Sequence, residues 1–268
     1  MSFLRQYLIA IHFFTRVPMR GAVAQWVDFG PQTLRASAAH FPGVGLMVGL
    51  VACTVFALLE VALPGSPYSS LVAAVAATAA TVLLTGAFHE EGLTHVADGL
   101  AGRIEGDKAL ELNTRPRLGA GGALALILAL LAKVALLAVL AGQSPAAVLA
   151  ALLAGHVVSR FWPLLLMRTL PYTGDASTAA GKPLADPIDS RTLAIAAGWC
   201  VLPLANALLV QPAAFTIVAL LLSGLALLSM QRLFARRLKG FTADCVGATQ
   251  QVCEIAFYLG AAIGLGLA

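Results

Sequence analysis

Leu71–Asp98 reads LVAAVAATAATVLLTGAFHEEGLTHVAD. The run from Leu71 to Phe88 carries no charge, and its length approaches the ~20 apolar residues that a helix needs to cross a bilayer. Phe88–Asp98 then packs two histidines and three carboxylates into a chain that is only 11% charged. Read as helix, Glu91, His95 and Asp98 fall at i, i+4 and i+7 and share one face. Hard oxygen ligands and an imidazole on one face suit a divalent-metal site at a membrane edge. The same residues also suit a solvated loop that caps a hydrophobic helix, and the stretch alone leaves both open.

Outward from this stretch, composition names the solvent. Hydrophobic residues make up 59% of the 268, and the mean hydropathy is +0.87. That load exceeds what a soluble domain of this length buries, so the predicted solvent is lipid. Cys53, Cys200, Cys245 and Cys253 show no metal-knuckle spacing and predict no disulfide framework. The net charge of +4 comes from loops beside apolar runs, which argues against nucleic acid. The apolar run Tyr7 to Phe14 is short, holds His12 and lacks a small-residue cleavage site, so no cleavable signal peptide is expected.

The fold class expected is an all-α integral membrane protein, one polytopic domain over 1–268. Residues 1–20 read as an amphipathic interfacial or re-entrant helix, and Phe29 to Phe41 as a second amphipathic piece ending at Pro42. Seven segments approach spanning length: Gly43 to Leu63, Leu71 to Phe88, Gly121 to Leu140, Ala146 to Met167, Leu193 to Val210, Ala213 to Leu233 and Gln251 to Ala268. The connections Pro64 to Ser70, Gly142 to Pro145 and Gln211–Pro212 carry no charge. Every Lys and Arg except Lys133 lies in the N-terminal region, in the loops 89–120, 168–192 and 231–250, or at an adjoining helix end, where Arg160 is placed. The positive-inside rule makes those loops cytoplasmic. Gly45 and Gly49 predict close helix packing. Lys133, deep in a span, should face the interior or a cavity, with Glu254 as a structural partner or with a functional role.

Function is therefore expected in the charged loops, which carry Arg35 and His40, the carboxylate stretch, SRFWPLLLMRTLPYTGDASTAAGKPLAD, whose turn at Gly174 and Asp175 reads as a loop tip, and RRLKGFTADCVGATQQVCE. Gly119, Gly121 and Gly122 open an apolar helix just after Arg115 and Arg117. Glycines, arginines and a helix N-terminus together suit a phosphate, and they suit equally a plain helix start with membrane-anchoring arginines.

With these loops aligned, the chain resembles the cobalamin synthase (adenosylcobinamide-GDP ribazoletransferase) family over nearly its whole length. The likeness rests on FFTRVP, AAHFPGVGLMVG, GAFHEEGLTHVADG, SRFWPLLLMRTLPY with GKPLAD, and GFTADCVGATQQVCEIAFYLG. In the family's central motif His89, Gly92, Leu93, Asp98 and Gly99 match, while Glu91 and His95 stand where aspartates are usual. In a second element Arg117 and Gly119 match and Arg115 replaces an aspartate. In the last loop Thr242, Asp244, Gly247 and Ala248 match, with Ala243 in place of a glycine.

The resemblance implies that an adenosylcobinamide-GDP receives α-ribazole or its 5′-phosphate and releases GMP, the last step of cobalamin biosynthesis. It implies His89, Asp98 and Arg117 as catalytic residues, with His89 as general base. Arg115, Arg117, Lys182 and Gly119 would hold the substrate. Glu91, His95, Asp98 and Asp244 would hold Mg²⁺, or Mn²⁺ given the imidazole. Its setting would be the bacterial inner membrane with the active-site loops cytoplasmic, and a homo-oligomer is left open. A CDP-alcohol-type phosphotransferase fits less well, because its aspartate-rich signature with an Ala-Arg pair is absent. A non-catalytic corrinoid-binding relative would explain the replaced aspartates. A channel or carrier would need more mid-span polar residues than Lys133 and Glu254.

Overall fold

Pro42 begins a helix rather than ending one. In the computed structural model, which describes residues 3–27, 31–100, 118–175 and 187–268, the chain enters α4 (Phe41–Ala62) with this proline in its first turn. Proline is tolerated there because the first-turn N–H groups have no partner inside the helix. Ahead of it come α1 (Phe3–Phe14), α2 (Gly21–Trp26), α3 (Pro31–Ser37) and a 3₁₀ turn over Ala38–His40. The expected amphipathic piece ending at Pro42 is thus corrected to a short helix and a tight turn that lead into α4. The 12 residues of α1 reach only ~18 Å, too short to cross, as expected of an interfacial helix. Its inner face buries Ile9, Ala10 and Ile11, and its Phe3 and Tyr7 rings lie against Trp199.

The long elements are α4, α5 (Ser69–Thr85), α7 (Ala120–Gln143), α8 (Pro145–Thr169), α9 (Ser190–Val210), α10 (Ala213–Arg237) and α11 (Ala243–Gly266), with the shorter α6 (Phe88–Leu100) between α5 and α7. Among the described residues, five helical segments are long and apolar enough to cross a bilayer, and the bent pair α5–α6 would make a sixth. The expected count of seven goes beyond these. α11 is long enough at 24 residues, ~36 Å, but it carries Asp244, Gln250, Gln251 and Glu254 on its inner side. The fold class stands as expected: helices whose outward faces are large and apolar. Leu58, Val61, Leu83, Leu131, Leu202, Leu209 and Leu221 are each more than half exposed, an outer surface that only lipid satisfies.

Inside, small residues let backbones meet. Ala52, Ala73, Ala74, Ala77, Ala147, Ala150, Ala151 and Ala154 are all buried between α4, α5 and α8. At Gly45 a methyl group would sit 2.3 Å from the carbonyl oxygen of His156, so the expected close approach of α4 to α8 depends on that glycine. α8 is the most enclosed helix, packed among α4, α7, α9 and α11.

Among the boundaries that differ from expectation, two shape the site. The expected span Leu71 to Phe88 stops at Thr85, because Gly86 and Ala87 both take positive φ (70° and 62°) and turn the chain by 90° into α6. The turn is held by Ala87 N–H donating to the Val82 carbonyl at 2.9 Å and by Arg16 N–H donating to Leu84 at 2.8 Å. The last helix begins at Ala243, about two turns before Gln251, so it carries Asp244 in its first turn. A short parallel bridge between Tyr172 and Phe241 ties the segment after α8 to the one before α11.

Candidate functional site

α6 and α11 cross with glycine against glycine. A methyl group on Gly92 would lie 2.7 Å from the Asp244 carbonyl oxygen, and one on Gly247 would lie 3.2 Å from His89 Cα. This approach brings together side chains about 150 residues apart in the sequence. His95 Nδ1 lies 3.4 Å from Asp244 Oδ1, and His95 Nε2 lies 4.0 Å from Glu91 Oε1, one turn back on α6. Glu91 is exposed, while His95 and Asp244 are partly covered. Burial pushes the Asp244 carboxyl above its ordinary value, against the pull of His95 beside it. The one-face spacing read from the sequence is therefore realised for Glu91 and His95, with Asp244 added from α11.

Asp98 turns to a different partner. Its two carboxylate oxygens accept the N–H groups of Gly119 and Gly122, each at 2.7 Å. It thus occupies the start of α7, where unpaired N–H groups and the helix dipole favour an anion. Gly119, expected to cradle a substrate phosphate, gives its N–H to this side chain. Arg115, Arg117 and Lys182 lie outside the described residues. His89 is buried, stacked on Phe41 at 5.7 Å and 7°, and its Nε2 has no hydrogen-bond partner among the described residues. Among the described residues no three His, Cys, Asp or Glu side chains form a group able to hold a metal by themselves. His95 and Asp244, with Glu91 near, are one imidazole and two carboxylates, a set that could hold a divalent ion only with further ligands.

Beneath α6 lies a polar interior that the sequence revealed only in part. Lys133 Nζ meets Glu254 Oε1 at 2.6 Å, the interior position and the partner expected for Lys133. Glu254 also receives the Tyr258 hydroxyl at 3.0 Å and the Gln250 amide at 2.5 Å, and its Oε2 lies 3.2 Å from His156 Nδ1. Gln251 donates to Gln250 and to Glu90, both at 3.0 Å, which joins this network to α6. Arg160 belongs here and not at a helix end: α8 continues to Thr169, and Arg160 is buried, donating to the His156 carbonyl at 2.9 Å. A histidine and an arginine four apart inside AGHVVSRFW are the sequence signal for this interior.

With this geometry in place, comparison with known proteins is specific. The family model for cobalamin-5-phosphate synthase matches residues 6–262. This chain belongs to that family. Among its relatives, the adenosylcobinamide-GDP ribazoletransferase of Polaromonas sp. is 54% identical, with 98% of each chain covered. That of Polaromonas naphthalenivorans is 53% identical over 99% of this chain and 100% of its own, and that of Shewanella pealeana 36% over 96% and 94%. No solved structure matches. In this chain the His95–Asp244 contact joins the segment FHEEGLTHVAD to the segment GFTADCVGA.

Proposed function

We propose that this chain is a membrane-embedded cobamide synthase that joins adenosylcobinamide-GDP to α-ribazole or its 5′-phosphate and releases GMP. The observation that carries the reading is the full-length likeness to relatives named adenosylcobinamide-GDP ribazoletransferase. The meeting of His95 and Asp244 supports it, because both come from motifs that carry the likeness. In the reaction a ribazole hydroxyl oxygen forms a bond to the phosphorus next to the cobinamide. The bond from that phosphorus to GMP breaks, and the hydroxyl proton passes to a base.

The residues divide this work by position. Asp244, His95 and Glu91 form the anionic edge at which a divalent ion, Mg²⁺ or Mn²⁺, would be held. Such an ion would neutralise phosphate charge as the new bond forms. Asp98 fixes α6 to the start of α7 and keeps lone pairs for the same ion. Arg115, Arg117 and Lys182 are proposed to take phosphate oxygens, where arginine's fork gives paired hydrogen bonds. His89 is proposed as the base, reached from beside Phe41. The positive charge of the active-site loops supports the cytoplasmic side of the bacterial inner membrane as their location.

The test is turnover by purified protein with adenosylcobinamide-GDP and α-ribazole, with Mg²⁺ and separately Mn²⁺. GMP and the joined cobamide should appear in equal amounts, and Asp244→Asn should abolish both while the protein still inserts and purifies. No product with either metal sinks the transferase reading. Parent-like turnover in Asp244→Asn sinks the metal edge.

A further inference from the structure

Two neighbouring carboxylates in the first turn of α6 face opposite ways. Glu90 is 6% exposed, whereas the Glu91 side chain is 64% exposed. Successive residues of a helix stand about 100° apart, so a roll of that size about the α6 axis would exchange the two. Glu90 meets the interior. Its Oε1 accepts the Gln251 amide at 3.0 Å, Gln251 also donates to Gln250, and Gln250 donates to Glu254. Among the described residues, four buried side chains are of ordinarily charged type: Lys133 and Arg160 against Glu90 and Glu254. They come from α7, α8, α6 and α11 in that order, and all four line one small enclosed space beneath α6. Lys133 is paired with Glu254 at 2.6 Å, which leaves Glu90 as the carboxylate that offsets Arg160. An unbalanced charge in such an interior is costly. With Glu90 turned away, the buried set would hold two cations and one carboxylate.

We infer that Glu90 is a positioning residue that sets the roll of α6, and so keeps Glu91 outward and His95 against Asp244. It acts through Gln251 and the interior charges, not on a reacting group. The other holds on α6 do different work. The contact of Gly92 with the Asp244 backbone sets how closely α6 approaches α11, and Asp98 ties the far end of α6 to the start of α7. Glu90 holds the first turn, next to the residue whose direction matters. The effect on turnover rests on the transferase reading above; the docking of α6 does not.

Turnover and amide hydrogen–deuterium exchange of the full-length protein in nanodiscs test this together. Glu90→Gln keeps the size of the side chain and removes its charge. Combined with Gln251→Glu, it moves the carboxylate to the other side of the same hydrogen bond and returns the charge to the interior. Glu90→Gln should lower turnover about tenfold or more, the scale of a ~1 Å misplacement. It should also speed exchange in α6 by about tenfold, with exchange in α10 unchanged. The transposed pair should bring both readouts to within about threefold of the parent, because neighbouring changes of this kind compensate rather than add. Slow turnover with parent-like α6 exchange in Glu90→Gln would mean that Glu90 touches the substrate or an ion, and would overturn the inference. So would faster exchange in α6 and α10 alike, a rise that the transposed pair does not reverse, or parent-like values of both readouts. If the parent makes no product with any metal, the transferase reading fails, and the exchange of α6 still decides the role of Glu90. Should Glu90→Gln fail to insert, Gln251→Leu takes its place. It removes the hydrogen bond and keeps every charge, and parent-like α6 exchange in it overturns the inference.

Discussion

Lys133 and Glu254 are both almost wholly buried, and their 2.6 Å contact joins α7 to α11 inside a bundle with few other charges. A buried pair owes little of its value to attraction alone, since desolvation of both ions offsets it. Removing one partner leaves an uncompensated charge, which costs about 3–5 kcal/mol. Lys133→Met should therefore lower the detergent thermal stability sharply, whereas Lys133→Met combined with Glu254→Gln should recover much of the loss. A single variant as stable as the parent would mean that another group balances Glu254. At this scale the sequence was legible where chemistry had one solution: a lysine deep in an apolar run must turn inward. Arg160 was less legible: it lies inside the expected span Ala146 to Met167 but near its charged end, and only the packing of α8 shows that its side chain is buried. Gln250 and Gln251 carry no charge and leave no mark on a charge-based reading. His95 and Asp244 were grouped only through the family resemblance, because they come from distant segments and the crossing of α6 and α11 alone brings them into contact.

That crossing belongs to the element scale, and glycine sets its distance. Gly92→Ala would ordinarily help a helix, by ~1 kcal/mol in an unobstructed position. Here the added methyl meets the Asp244 backbone oxygen at 2.7 Å, and backbone in a packed helix does not yield as a side chain does. Gly92→Ala should push α6 from α11 and reduce turnover by roughly ten- to a hundredfold, the scale of a ~1 Å misplacement. Gly198→Ala on α9, where no atom lies within 4 Å, is the control and should leave turnover unchanged. Equal turnover in both variants would detach the crossing from function. The elements themselves were legible from apolar runs, but their ends were not. Gly86 sits in a run that reads as continuous helix, and only its positive φ, shared with Ala87, makes the right-angle turn. α11 starts early because its first two turns are packed against α6 and α10, where polar residues interrupt the apolar pattern without ending the helix.

For the whole molecule, the decisive quantity is which side each connection faces. The connections after α4 (63–68), at Ser144 between α7 and α8, and at Gln211–Pro212 between α9 and α10 carry no charge, while Arg168, Arg236 and Lys239 lie at the opposite helix ends. α6 fits this scheme because of its right-angle turn: it lies across the charged end of the bundle, so α5 and α7 both have that end on the same side. The Glu91–His95–Asp244 edge, on α6 and the first turn of α11, then lies at the charged end as well. An impermeant thiol reagent added to intact cells should label Ser66→Cys and Ser144→Cys and should not label Lys239→Cys, which should react only after the membrane is opened. The native cysteines are buried or half-buried within α4, α9 and α11 and give a low background. Labelling of Lys239→Cys from outside, with Ser66→Cys and Ser144→Cys protected, would invert the molecule. The site would then face away from the cytoplasm, and the proposed cytoplasmic placement of the active-site loops would fall with the orientation.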